Sequence, residues 1–151
     1  MTVDRQITDP DFLNEFIRGG MAIISLRSTR TNVHFTYRIT RSDHDGDYYY
    51  VARKSREDEW TYLGTLDDKK HQFRWTKATA AEEISRKSFK VFSWFIDLFI
   101  QTGRIHPQLE VFHDGRCAAC SNWLTDPKSL DRGFGPKCWE RHQLLWKKAT
   151  G

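Results

Sequence analysis

Val33-His-Phe-Thr-Tyr-Arg-Ile-Thr40 alternates, with Val33, Phe35, Tyr37 and Ile39 on one side and His34, Thr36, Arg38 and Thr40 on the other. Successive side chains of a strand point to opposite faces, so this pattern describes a sheet with one buried face. On either side, Met21 to Arg27, Tyr48 to Arg53 and Trp60 to Leu66 are equally rich in β-branched or aromatic residues, which suit a pleated, half-buried surface. The joints agree. Thr29 to Asn32 has hairpin length, and Ser42-Asp-His-Asp-Gly-Asp47 is dense in turn formers. The reading is an antiparallel β-meander, with a fifth short strand at His71 to Trp75.

Helices flank the meander. Asp9-Pro10 supplies an N-cap acid and a first-turn proline, and Gly19-Gly20 stops the run, which predicts a helix over about residues 10 to 18. Thr79-Ala-Ala-Glu82 matches a capping box and opens a stretch free of glycine and proline that ends at Gly103. Ile84, Val91, Phe92, Trp94, Phe95, Ile96, Leu98, Phe99 and Ile100 make its second half apolar nearly all round, which predicts the helix that packs on the sheet. A short strand over Leu109, Val111 and Phe112 follows. Asp126-Pro127 starts a brief helical turn closed by Gly133, and Pro136 opens a last helix to about Lys148. The fold class is α+β. Gly103 to Gln108 is the expected boundary between a sheet domain, 1–104, and a C-terminal module, 105–151.

The chain of 151 residues, 14% aromatic, has apolar surface enough for a folded core. Met1 to Gln6 lacks the basic flank and apolar run of a secretory signal. The most apolar stretch, Val91 to Ile100, is interrupted by Ser93 and Asp97 and is short of the roughly eighteen residues a span needs. The expectation is a cytoplasmic protein without a membrane partner. Net charge is +4, below the dense basic footprint of a dedicated DNA-binding domain. The surplus lies in residues 101–151, where eight Lys or Arg face five acids.

All three cysteines fall in that basic part, at Cys117, Cys120 and Cys138. Two residues between Cys117 and Cys120 let both sulfurs converge on one zinc ion at about 2.3 Å. A redox pair expects a thioredoxin-like context that is missing here, and a disulfide leaves an odd thiol. One structural Zn2+ is therefore expected, with Cys138 as third ligand. Two histidines offer a fourth. His142 follows Cys138 by four, one turn along the expected helix, and His113 precedes Cys117 by four with Gly115 between. Spacing leans to His142 and leaves both open.

Cys117-x2-Cys120 with Leu124-Thr-Asp-Pro127, Ser129-Leu130 and Gly133-Phe-Gly-Pro-Lys-Cys138 resembles an uncharacterised family of small bacteriophage and actinobacterial proteins. Its signature is Cys-x2-Cys-Gly-Arg-x-Leu-Thr-x-Pro-x-Ser-Ile-x-x-Gly-Ile-Gly-Pro-x-Cys. The likeness extends to Ala22–Tyr37, Thr61–Gly64, Ser88–Phe95 and Leu109–Arg116. The resemblance implies a treble-clef-like zinc module with His113, ahead of Gly-Arg-Cys, as fourth ligand, and it implies no reaction. Ser121-Asn122 stands where the family has Gly-Arg, so any contact made by that arginine is not carried over.

A cysteine-dominated zinc site with four protein ligands is closed to substrate, and no Glu follows His113 by two as in zinc deaminases. His34, His44 and His71 lie in strands or turns without identifiable catalytic partners. The expected function is thus non-enzymatic binding, with no small-molecule substrate. Nucleic acid is the first expected partner, met by Arg116, Lys128, Arg132, Lys137 and Arg141, with Lys147 and Lys148, and by stacking on Trp123 or Trp139. The alternative is a phage-related module that binds or inhibits a host protein complex.

Overall fold

The computed structural model describes residues 5–150, and side chains as far as residue 144. The elements run β1 (Arg5–Ile7), α1 (Pro10–Ile17), β2 (Met21–Ser28), β3 (His34–Arg41), β4 (Tyr48–Arg56), β5 (Glu59–Asp67) and β6 (Gln72–Trp75). They continue α2 (Lys77–Ala81), α3 (Glu83–Thr102), β7 (Leu109–His113), α4 (Pro127–Arg132) and α5 (Pro136–Thr150). The seven strands form one sheet in the order β1-β7-β2-β3-β4-β5-β6, and every pairing is antiparallel. The expected α+β class and the meander, β2 to β6, are present. β1 was not read from the sequence, and β7 enters between it and β2.

Alternation decides the packing. Tyr37 and Ile39 of β3 are buried together with Ile24 and Leu26 of β2, Val51 of β4 and Leu63 of β5. α3 covers this face with Phe89, Phe92, Phe95, Ile96 and Phe99. The Tyr37 ring meets Phe92 at 5.1 Å, and its hydroxyl donates to the Ser88 carbonyl at 2.7 Å. That hydroxyl has no exit to water, and burial holds the phenol well above its usual range. α3 is more one-sided than expected, because Ile84 and Trp94 are exposed while Val91, Leu98 and Ile100 are half-buried.

The capping box is corrected. Thr79 does not cap α3; its hydroxyl donates to the Leu63 carbonyl at 2.7 Å and so ties the chain to β5. Thr76 caps the short α2 instead, accepting from the Thr79 amide at 3.2 Å. Glu82, extended at φ −108° and ψ 124°, breaks the two helices apart. Its carboxylate accepts from Ser85 at 2.6 Å and from Arg53. α3 ends where expected, at Gly103 in the left-handed region.

α1 shares the core through Leu13, Phe16 and Ile17 and is capped by Asp9 as read. Cys117, Ala118 and Phe134 belong to the same apolar cluster, so the cysteine segment is rooted in the main core. No described helix is long and apolar enough to cross a membrane.

Candidate metal centre

The site begins where β7 ends. Gly115, at φ +86°, turns the chain, and Arg116 bridges Trp123 to make a narrow hairpin. Within it the Cys117 amide donates to Asn122 O at 2.8 Å and the Ser121 amide to Cys117 O at 2.9 Å. Ser121 closes the knuckle at φ +62°. This left-handed position is where the resembled family carries glycine, which enters that region without the steric cost a side chain brings. The Ser121 hydroxyl compensates by donating to the Met21 carbonyl at 3.2 Å.

The return path is held as tightly. Asp126 caps α4, and Gly133 ends it at φ +79°. A Cβ on Gly133 would stand 2.6 Å from the Phe16 ring, so the chain passes α1 only because that atom is absent. Gly19 is equally confined, since a Cβ there would lie 2.7 Å from Ala118. Pro136 then opens α5 and puts Cys138 in its first turn.

These constraints bring Cys117, Cys120 and Cys138 together as free thiols whose sulfurs lie within 4.8 Å of one another. The amides of Ala119 and Gly135 each approach the Cys117 sulfur at 3.4 Å. Burial opposes a thiolate at Cys117, yet the amides of Gly135, Ala119 and Cys120 together hold its thiol below the ordinary range. Cys138 goes the other way: burial and the charge of Cys117 push it up to about 12. Without a cation, the cluster accommodates one thiolate and resists the next. A divalent metal removes that conflict, and the sulfur-rich donor set suits zinc. The group can hold a metal ion, and knuckle plus helix is consistent with a treble-clef-like zinc module.

Neither histidine joins the three sulfurs. His113 is buried at the end of β7, its ring 5.3 Å from Phe16 and 6.0 Å from Phe12, and its Nδ1 accepts from the Gly115 amide at 3.1 Å. It lines a separate cavity beside Arg5, Asp9 and Phe12. His142 is buried on α5, stacked at 4.4 Å on Phe134, with Nε2 3.9 Å from a Glu15 carboxylate oxygen. Burial and the Arg41 charge lower its pKa, while burial and the acids Asp11 and Asp9 raise that of Glu15, so both neutral forms are favoured. His142 and Cys138 share a cavity wall.

The basic residues divide. Lys137 and Arg141 line a cleft of about 570 Å³ together with the three cysteines and Trp123, whose side chain is 51% exposed. Arg116 lies over the Trp123 ring at 4.3 Å and contacts Asp114 at 3.3 Å. Lys128 and Arg132 stand on α4, Arg132 over Trp139 at 5.5 Å. The side chains of Lys147 and Lys148 lie outside the described residues. Sequence reasoning missed the Gly133 clasp on Phe12 and Phe16, for which Gly133-Phe-Gly135 was the available signal.

Residues 107–143 match the model of a family of unknown function (DUF6011). The match takes in β7, the three cysteines and the start of α5, a shorter stretch than the resemblance suggested. No curated protein and no solved structure matches the chain.

Proposed function

We propose that the protein is a non-enzymatic, zinc-stabilised binding protein that contacts nucleic acid through its C-terminal module. The observation that carries this reading is the half-exposed Trp123 in one cleft with Lys137 and Arg141, directly over the three-sulfur group. An exposed indole offers a face for base stacking, and the two cations beside it suit a phosphate. Arg116, stacked on the same indole, extends that surface. The metal's part is structural. Cys117, Cys120 and Cys138 would hold one zinc ion and so fix the loop that displays Trp123. For the fourth ligand, residence on the helix of Cys138 and a shared cavity support His142, while the family resemblance supports His113. The setting that the resemblance implies is a small phage-related protein.

The test is a fluorescence-polarisation titration of the zinc-loaded protein with labelled duplex and single-stranded oligonucleotides over a salt series. Binding at low micromolar protein that weakens with salt is expected, together with about tenfold weaker binding by Trp123→Ala. Binding that ignores salt, or its absence, removes the reading.

A further inference from the structure

The sheet has a second face, and its side chains are of a different kind. Opposite the face covered by α3, strand register brings Arg38 beside Ala52 and Ala52 beside Tyr62, while Tyr50 pairs with Thr65 and Thr65 with Arg74. Lys54 pairs with Trp60 at the next position along. Tyr50 and Tyr62 are 44% and 41% exposed, with ring centroids 6.0 Å apart in an edge-on arrangement. The Tyr62 hydroxyl is hydrogen-bonded to that of Thr65, which fixes the ring. The Arg38 guanidinium lies over the Trp60 ring at 4.9 Å. Tyr50, Tyr62 and Trp60 thus alternate with Arg38, Lys54 and Arg74 across three neighbouring strands and the edge strand β6.

Acidic residues stay at the rim. Glu110 is engaged by Arg27 at the β7 end. Asp67 accepts the amides of Lys69 and Lys70 at 3.1 and 3.0 Å, and Glu57 to Glu59 occupy the tip of the β4–β5 hairpin. The middle of the face is therefore positive and aromatic. Such a face does not suit an extended peptide, because β3, β4 and β5 are already paired on both sides and offer no free ladder edge. A duplex keeps its bases stacked on one another. Unpaired bases can lie on tyrosine and indole rings and on arginine planes while cations follow the backbone.

We propose that this outer sheet face, centred on Tyr50, Tyr62 and the Arg38–Trp60 stack, is a binding surface for single-stranded nucleic acid. It shares the class of partner with the preceding proposal but none of its residues, so each can fail alone. Single-strandedness is the specific addition. Bases stack on Tyr50 and Tyr62, and Arg38, Lys54 and Arg74 meet phosphates.

The experiment is polarisation of fluorescein-labelled oligothymidylate and of the same strand annealed to its complement, titrated with full-length zinc-loaded protein. Four proteins are compared: wild type, Tyr50→Ala/Tyr62→Ala, Arg38→Gln/Arg74→Gln and Trp123→Ala. The tyrosine pair is expected to weaken single-strand binding about tenfold or more. The arginine pair should lower the logarithmic salt slope by roughly one. Preference for the duplex overturns the proposal, as does wild-type affinity in the tyrosine pair. Loss in Trp123→Ala alone sinks this proposal and leaves the module reading standing; loss in the sheet variants alone does the reverse. Absence of binding by wild type defeats both and leaves the face to a protein partner. Should the tyrosine pair not fold by circular dichroism, ultraviolet cross-linking of wild type decides. Adducts on Tyr50, Trp60 or Tyr62 are expected, and adducts confined to Trp123 contradict the proposal.

Discussion

Across β2 to β5 the chain buries Ile24, Tyr37, Val51 and Leu63 against Phe92 and Ile96 of α3, all at 0% exposure. Between Gly115 and Gly135, by contrast, Phe134 is the one large side chain buried to that degree, and Trp123 is half in water. The first region is held by apolar area removed from water, a term that needs no ligand. The second is held by three converging sulfurs, backbone turns at positive φ and a close pass against α1. Its apolar contribution is too thin to order the loop unaided. The difference teaches that one chain can divide its stability between burial and coordination, and that the two parts should respond to different perturbations.

The strongest way to break that comparison is to remove the metal ligands. Wild-type protein is expected to carry one zinc per chain, and Cys117→Ser to lose nearly all of it. Small structural zinc modules owe about 10–16 kcal/mol of apparent free energy to the metal. Amide exchange should then rise through residues 115–142 while β3 to β5 stay protected; equal loss of protection in the sheet would refute the division. In the same assay, one of His113→Ala and His142→Ala, not both, should release metal.

Phe92→Ala attacks the other region. It removes the ring that Tyr37, Phe73 and Phe95 pack against and should cost about 3–5 kcal/mol in urea unfolding. Zinc content under native conditions should be unchanged.

Gly133→Ala probes the seam between the regions. The added methyl meets Phe16 at 2.6 Å on a backbone at φ +79°, and a cost of about 1–3 kcal/mol is expected. A variant as stable as wild type would show that α1 and the module do not share this contact in solution. Ser121 sharpens the local picture. Ser121→Ala keeps the left-handed strain and loses the bond to Met21, whereas Ser121→Gly loses only the bond. The glycine variant should be the more stable by about 1 kcal/mol.

The smallest effect is a pH dependence confined to metal-free protein. The folded-state pKa of Cys138 is raised, so its contribution is complete below the ordinary thiol value and is lost as pH climbs toward about 12. That of Cys117 is lowered, so its contribution is present above the ordinary thiol value and is lost as pH falls through the folded value. Urea midpoints in chelator should rise toward the ordinary thiol range and fall beyond it. Zinc loading should flatten both limbs, because the metal keeps the thiolates deprotonated in the folded state.

Legibility followed the same division. Alternation in residues 33–40 placed β3 and the face it buries, because a period of two has one interpretation once the apolar side is continuous. The cysteines were equally plain, since their number and spacing leave little else for them to do. Thr79 was misread because its hydroxyl found the Leu63 carbonyl across the fold, a competitor that local spacing does not reveal. Arg5–Ile7 was missed because three residues, only one of them buried, carry no period. Neither histidine was separable by sequence. Both sit four residues from a cysteine, and only packing shows one ring against Phe12 and Phe16 and the other on Phe134.

By itself the sequence determined the α+β class, the meander, the long helix and a three-cysteine group suited to a metal. These rest on periodicity, caps and donor chemistry, which act over a few residues. Tertiary structure alone decided that β7 slips between β1 and β2, that Gly133 must lack a side chain beside Phe16, and that Tyr50, Tyr62 and Trp60 gather with Arg38 on the outer face. Those outcomes depend on pairing register between segments far apart in the chain, and register is set by how whole faces bury together.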